Sequence, residues 1–233
     1  MPPRREVPSW TESDGVEVWL VADSGRGRVG DLVEAERAVA VQAGRGAVLA
    51  ANADADDAER VAQLLRHGYR RVFSMVDLER DTTPLTAKAA PAVIGPARVG
   101  DAEEMHELTR VVWAGREFFS MPSRDSYREW VLRADLQLML VARQGATLVG
   151  YAAARHDAEG LEVEDVQVHP SLQRQGIATA LVGRLVQEAA RRGLVRVWLQ
   201  TEGDDPVGAR RFYEQLGFRL VTEHLRFRRP APA

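Results

Sequence analysis

Residues 168–181 read VHPSLQRQGIATAL, and the core of this stretch, Gln173-x-x-Gly176-x-Ala178, decides how the rest of the chain is understood. In front of it, LEVEDVQVH (161–169) alternates Val163, Asp165 and Gln167 in the manner of a strand. Behind it, IATALVGRLVQEAARRG (177–193) sets Ile177, Leu181, Leu185 and Ala189 on one helical stripe with the charges opposite, and Gly193 stands where a helix-ending glycine belongs. The core is thus a strand-to-helix turn, and the N–H groups of the first helical turn have no intrahelical partner there. Those groups, with the positive end of the helix dipole, suit an anion such as a pyrophosphate. Gly176 permits close backbone approach, small Ala178 keeps the first turn open, and Arg174 can add a charge-assisted contact. A plain connecting turn accounts for six such residues equally well.

Working outward, LQLMLVAR and TLVGYAAARH read as two strands joined at QGA, preceded by a helix AEEMHELTRVVW capped by Asp101. Met105, Leu108, Val112 and Trp113 share one face of that helix, and a second short helix is expected across Ser126–Arg133. Downstream come the strand VRVWLQT, an Asp205-Pro206 cap opening VGARRFYEQL, the helix-ending Gly217, and a last strand FRLVTEHLRF. The class is mixed α/β. Upstream, Glu79–Asp101 gathers three prolines with Thr, Gly and Ala between two strongly periodic segments. The boundary is placed near residue 88, dividing the chain into residues 1–88 and 89–233.

Composition narrows the chemistry. The chain of 233 residues is 45% hydrophobic, enough for a real core. Its 31 Lys and Arg against 34 Asp and Glu, a formal charge of −3, do not favour nucleic acid as a partner. With no cysteine there is no thiol nucleophile, which removes any covalent mechanism through a thiol. The five histidines, His67, His106, His156, His169 and His224, lack ligand spacing, and no metal is expected. The N-terminal MPPRREVPSW has no apolar stretch behind it and no segment approaches the ~20 apolar residues of a membrane span, so no membrane partner and a cytoplasmic location are expected.

The second informative stretch is Ala209-x-x-Phe212-Tyr213-x-x-x-Gly217-Phe218. Following the Gln173-x-x-Gly176-x-Ala178 loop, in this order and on these elements, it makes most of Val93–Arg229 resemble the GNAT superfamily of acyl-CoA-dependent N-acyltransferases. The resemblance implies a GNAT-like mixed sheet flanked by helices, with acetyl-CoA as acyl donor. In that family the loop binds the pyrophosphate of coenzyme A, which carries over to Gln173, Arg174, Gln175, Gly176, Ile177, Ala178 and Thr179. The fourth strand, split from the fifth, bonds the pantetheine through its backbone, which carries over to Val166, Gln167 and Val168. Tyr213 matches the family tyrosine whose hydroxyl lies near the thioester sulfur. A phenol of pKa ~10 suits protonation of a thiolate of pKa ~8.5, or its stabilisation by a hydrogen bond, although a tyrosine packing its helix reads the same in sequence. Many relatives carry Asn where this chain has Asp205, which keeps the cap but lacks the amide donor.

Direct transfer also needs a base, which relatives place on the fourth or fifth strand. Glu162, Glu164 and Asp165 are the carboxylates available. Glu162 and Glu164 share a face by strand period and are the candidates, Glu162 ahead by a small margin, with water as the alternative. The acceptor, a small-molecule or peptide amine, is expected over WAGREFFSMPSRDSYREW (113–130), where Phe118, Phe119, Tyr127 and Trp130 either line a pocket or belong to the core.

Residues 15–80 hold a strand VEVWLVA, then Gly25-x-Gly27-x-x-Gly30, then the helical DLVEAERAVAVQAG, the outline of a dinucleotide fingerprint. About 65 residues leave no room for the second half of such a domain. The better account is an internal repeat: AERVAQLLRHGYRRV echoes ARRFYEQLGFRLV, with Gly68-Tyr69 matching Gly217-Phe218. In that register Leu64 replaces Tyr213 and Leu32 replaces Ala178. The N-terminal segment then reads as a truncated, catalytically silent GNAT-like half in a tandem arrangement, and the assembly as a monomer or homodimer. The expected activity is N-acetyl transfer to a primary amine, with a non-catalytic acyl-CoA-binding module as the alternative and nicotinamide-dependent chemistry as a third reading.

Overall fold

The computed structural model describes residues 9–12, 15–20, 48–86, 89–115, 121–158, 160–204 and 208–230. The glycine fingerprint at Gly25–Gly30, Leu32, Phe118, Phe119 and the Asp205-Pro206 cap lie outside them. Two compact units are present, one of Met1–Asp77, Thr201–Arg210 and Leu220–Ala233, the other of Leu78–Gln200 and Arg211–Arg219. Each is made of non-consecutive stretches, whereas the sequence boundary near residue 88 follows the proline-rich linker.

In the first unit the strand order is β1 (Ser9–Glu12), β2 (Gly15–Leu20), β3 (Val48–Asp54), β10 (Arg219–Pro230) and β4 (Arg70–Asp81). β2 and β3 run parallel, while β10 runs antiparallel to β3 from His224↔Asp54 to Pro230↔Val48. The helix α1 (Ala58–Arg66) begins at Asp57, whose side chain accepts from Arg60 N at 2.9 Å. It ends in a Schellman turn: Tyr69 N donates to Leu64 O at 3.1 Å, Gly68 N donates to Leu65 O at 3.0 Å, and Gly68 takes φ +80°. Only glycine adopts that φ without steric cost, which is why it stands there.

The second unit has the order β9 (Arg196–Glu202), β8 (Leu161–Val168), β7 (Thr147–His156), β6 (Met139–Gln144) and β5 (Val93–Pro96). Its neighbours are antiparallel except β8 and β9, which are parallel, so this is the mixed α/β sheet the motifs anticipated. The helices α2 (Ala102–Val112) and α3 (Arg124–Arg133) cover one face, burying Met105, Leu108, Tyr127 and Val131 with Met139, Val141, Tyr151 and Ala153. Along β7, Gly150 faces the other way, where an added Cβ would come within 3.3 Å of Ile177 Cγ2 at the start of α4 (Ile177–Arg191). Ile177, Leu181, Leu185 and Ala189 are all buried, as the stripe requires.

Three local expectations change. Asp101 makes no side-chain bond into α2; its carboxylate accepts instead from Arg98 N and from Arg143, both at 2.8 Å, because a 3-10 turn at Val99–Asp101 precedes the helix. The cap of α3 is Ser123, accepting from Ser126 N at 3.1 Å, so that helix starts at Arg124. The linker contributes a strand, β5, that its prolines conceal.

The helix α5 (Ala209–Gln215) ends as α1 does. Phe218 N donates to Tyr213 O at 3.1 Å, Gly217 N donates to Glu214 O at 3.0 Å, and Gly217 takes φ +82°. Leu64 and Tyr213 therefore occupy the same place in two turns of the same hydrogen-bonding pattern, the register read from the sequence.

Candidate functional site

The site is built where β8 loses its parallel neighbour. β8 pairs with β9 only at Leu161↔Val197, Glu162↔Trp198 and Val163↔Leu199, while its ladder to β7 continues to Gly150↔Val168. From Glu164 onward β8 has no β9 partner, and Val166, Gln167 and Val168 lie along that opening. Gln167 is 3% exposed, its side chain turned into the unit, so it can offer an incoming ligand its main chain.

β8 runs out of this opening into the loop. Pro170–Leu172 make a 3-10 turn, with the His169 ring accepting from Ser171 N at 3.4 Å, and Gln173 Nε2 donates to Val168 O at 3.2 Å. Arg174 then takes φ +63° and Gly176 takes φ +87°, two left-handed residues in quick succession that turn the chain sharply into α4. Gly176 is the residue before the helix, and Ala180 N donates to its carbonyl at 3.0 Å. The N–H groups of Ile177, Ala178 and Thr179 precede the first intrahelical bond and remain for an external acceptor. Ile177 is 1% exposed, so its part in any ligand contact is its N–H and not its side chain. Arg174 and Gln175 are exposed, and Arg174 has no ion-pair partner among the described residues. The residues named from the sequence for an anion thus form one continuous cradle.

Tyr213 sits on α5, 9% exposed, with its ring against Phe212 at 5.0 Å and edge-on to Phe218 at 5.5 Å between centroids. The end of its helix is held by Arg80, which donates to Leu216 O and, at 2.5 Å, to Thr83 O. Burial pushes the Tyr213 phenol well up, and the negative charge of Asp165 pushes it further. The ring packs its helix, as one sequence reading had it, and its hydroxyl also lies within electrostatic reach of a β8 carboxylate.

The three carboxylates of β8 have different surroundings, and a β-bulge is the reason. Ala153 opposes Asp165 and Ala154 opposes Val163, so Glu164 is an extra residue with no partner on β7. The bulge resets the alternation, bringing Asp165 and Gln167 to the side of Ala153 and Tyr151. Glu162 and Glu164 do share a face, but both pair with Arg155: Glu162 through Arg155 Nη2, and Glu164 through Nε at 3.1 Å. Burial raises the Glu164 pKa, Arg155 opposes the rise and the Glu162 charge adds to it. Among the described residues no cation pairs with Asp165. Its Oδ2 accepts from the Tyr151 hydroxyl at 2.5 Å and from Gln167 Nε2 at 2.8 Å. Burial pushes its pKa up to about 6, against the pull of those hydrogen bonds and one from Val166 N.

Behind Tyr151 lies a triangle of hydroxyls. Thr109 Oγ1 is 2.7 Å from Tyr127 Oη and 2.8 Å from Tyr151 Oη, and the two phenols contact each other. Burial raises the Tyr127 pKa to about 12 and drives that of Tyr151 well above its usual value, so both phenols stay protonated. Tyr127 is 5% exposed and edge-on to Trp130 at 5.2 Å between centroids. Of the aromatic cluster read from the sequence, Tyr127 is therefore core, and its hydroxyl feeds the site from behind. Among the described residues no group of His, Asp or Glu side chains is placed to hold a metal, and no helix is long and apolar enough to cross a membrane.

Residues 102–218 match the acetyltransferase (GNAT) family. A mycothiol acetyltransferase of Saccharomonospora viridis is 32% identical over 131 residues, 54% of this chain and 41% of that protein. The [ribosomal protein bS18]-alanine N-acetyltransferase of Escherichia coli is 29% identical over 79 residues, 34% of this chain and 53% of that protein. The chain thus spans about two fifths to half the length of the curated relatives it matches. A crystal structure of a GCN5-related N-acetyltransferase from Sphaerobacter thermophilus superposes with a TM-score of 0.80 at 18% identity, over 97% of this chain and 76% of that one, a likeness of fold.

Proposed function

The chain belongs to the acetyltransferase (GNAT) family, and on that premise we propose that it transfers the acetyl group of acetyl-CoA directly to a primary amine of a small molecule or of a peptide or protein N terminus. The observation that carries this reading is the continuity of one site: the opening beside β8 runs directly into the cradle at the start of α4, in a chain that also carries a buried tyrosine, Tyr213, at the end of α5. Acetyl-CoA fits this geometry. Main-chain groups of Val166, Gln167 and Val168 hold the pantetheine arm, and Gln173–Thr179 hold the pyrophosphate, with Arg174 adding charge. Tyr213 keeps its proton until a thiolate develops and then meets that charge with its hydroxyl, by a hydrogen bond or by passing the proton on as a general acid. The peptide acceptor has support in the alanine N-acetyltransferase relative, and the small-molecule acceptor in the mycothiol acetyltransferase relative.

The carboxylate that receives the amine proton is on β8. Glu162 and Glu164 are candidates, but both are engaged by Arg155, whose guanidinium has to give way before either can meet an amine. The non-catalytic binding module is disfavoured, because a binder has no use for a buried phenol beside the thioester. Residues 1–88 are proposed as the truncated, silent half of a tandem pair and 89–233 as the catalytic half. The matching turns at Gly68 and Gly217, with Leu64 in the tyrosine position, support that proposal. The test is free-thiol release from acetyl-CoA across a panel of amines and of peptides with N-terminal alanine. Release that tracks one acceptor supports transfer; acetyl-CoA binding without release supports the module.

A further inference from the structure

Resting on the acetyl-transfer reading, we infer that Asp165 is the group that takes the proton from the acceptor amine, and that Tyr151, backed by Tyr127 and Thr109, is the positioning residue that orients its carboxylate. The bulge is the first reason. By unbroken strand period Asp165 would face away from Glu162, and the extra residue at Glu164 instead puts it opposite Ala153 and next to Tyr151. Such a bulge costs ladder hydrogen bonds, and here it re-aims a carboxylate.

The second reason is a count of protons. Three hydroxyls meet in the triangle, and two of their three protons are committed outside it. Thr109 donates to Met105 O at 3.0 Å, and Tyr151 donates to Asp165 Oδ2 at 2.5 Å. Only the Tyr127 proton is left for the contacts among the three oxygens. That proton goes to Thr109 Oγ1 or to Tyr151 Oη, and in either case the Tyr151 proton stays committed to Asp165, with the other two side chains packed behind its oxygen. A carboxylate held this way stays in one rotamer and presents its remaining lone pairs in one direction. Beside it, Gln167 Oε1 is buried with no donor among the described residues.

The third reason is the contrast with its neighbours. Among the described residues, the titratable groups that act on Asp165 are Glu164 on β8, Tyr151 on β7, Tyr127 on α3 and Tyr213 on α5, beside the hydrogen bonds from Gln167 and Val166 N, and none of them is a cation. Arg155 is occupied by Glu162 and Glu164. Asp165 thus stays basic enough to receive a proton near neutral pH, and no guanidinium competes with the amine for its oxygens as Arg155 does at Glu162 and Glu164.

The balance of the step is as follows. Nitrogen of the amine forms a bond to the acetyl carbonyl carbon, and the carbon–sulfur bond breaks with its electron pair left on sulfur. Asp165 takes the proton that nitrogen loses, and Tyr213 gives its proton to the thiolate. A proton passing from Asp165 to the Tyr213 oxygen, directly or through water, restores both, so the net change is amine plus thioester to amide plus thiol.

The experiment combines two readouts on the full chain. With 13Cγ-labelled aspartate, the Asp165 carboxyl, assigned by its loss in Asp165→Asn, should titrate near about 6 and move to higher pH in Tyr151→Phe, because the phenol stabilises the ionised form. A midpoint in the ordinary range near ~4, or one that Tyr151→Phe leaves in place, overturns the assignment. With the amine or alanine peptide that supports thiol release, Asp165→Asn should lower kcat about 10²–10⁴-fold while acetyl-CoA affinity stays within a few-fold, and Tyr151→Phe should shift the acid limb of kcat/KM upward. Retention of turnover in Asp165→Asn with its loss in Glu162→Gln or Glu164→Gln refutes the proposal. Absence of turnover by the unmutated chain refutes acetyl transfer itself, and the carboxyl titration then still decides the positioning claim.

Discussion

Gly176→Ala and Gly176→Glu, compared with each other, separate backbone strain from the anion-binding role of the loop. Gly176 takes φ +87°, and a Cβ added there meets no atom within 4 Å, so steric contact is not the obstacle. A left-handed conformation costs an L-residue roughly 1–2 kcal/mol. Both variants should lose that stability, a fall in Tm of about 2–8 °C for a chain of this size. The glutamate adds a negative charge at the start of α4. At ~4 Å from a phosphate the repulsion is about 1 kcal/mol in water and about 4 kcal/mol at an effective dielectric of 20, which weakens binding about five-fold to 10³-fold. Its bulk also fills the path by which the pyrophosphate reaches the N–H groups of Ile177 and Ala178. Chemical denaturation gives the first quantity and calorimetric titration with acetyl-CoA the second. The expected pattern is similar stability loss in the two variants, modest loss of affinity in Gly176→Ala, and none measurable left in Gly176→Glu. Equal affinity in the two variants would refute the assignment of this loop to the pyrophosphate.

Tyr213→Phe should fold and bind acetyl-CoA almost normally and lose turnover about 10²–10⁴-fold, since a bond to the developing thiolate is stronger in the transition state than in the ground state; wild-type kcat in steady-state assays would contradict the role. Leu64, fully buried in the matching turn, is its control: Leu64→Ala should cost about 2–5 kcal/mol by urea denaturation, with the rate per folded molecule unchanged. His224 bridges Asp54 at 2.7 Å and Asp77 at 2.8 Å. Burial works against its charge, but hydrogen bonds from the ring to Asp77 and Asp54 overcome this and raise its pKa. The stabilisation is complete below the unfolded value of ~6.5 and is lost as pH rises through the raised folded value. Stability by denaturation should fall as pH rises above ~6.5 and through the raised value, and His224→Gln should flatten that fall. Glu188 is held down to about 2, first by its hydrogen bond from Arg191 and then by Arg192. Its contribution should be present above the unfolded value near ~4.5 and disappear as pH falls through about 2, a loss absent in Glu188→Gln by acid titration.

What the sequence carried well was whatever short-range patterning determines. The stripe Ile177–Leu181–Leu185–Ala189, the glycine before α4 and the turn Tyr213–Gly217–Phe218 follow from helical period and from the φ that glycine permits, and they lie where they were read. The carboxylates show the limit. Strand period placed Glu162 and Glu164 on one face, which the structure has, but the period cannot reveal a bulge, because an extra residue leaves no mark in composition. Nor can it reveal that Arg155, on another strand, pairs with both glutamates. Asp165 was passed over for these two reasons. The triangle of Thr109, Tyr127 and Tyr151 joins two helices and a strand, and only tertiary packing brings their hydroxyls together. The Asp101 cap failed because Arg98 N and Arg143 competed for the same carboxylate.

The measurement that bears most directly on the central claim is mass spectrometry of the amine acceptor, paired with free-thiol determination, after incubation with acetyl-CoA. N-acetyl transfer predicts one acetyl group gained by the amine for each thiol released, with both signals lost in Tyr213→Phe and Gly176→Glu. Acetyl-CoA bound by the unmutated chain, with neither acetylated amine nor free thiol across the whole panel, would contradict it.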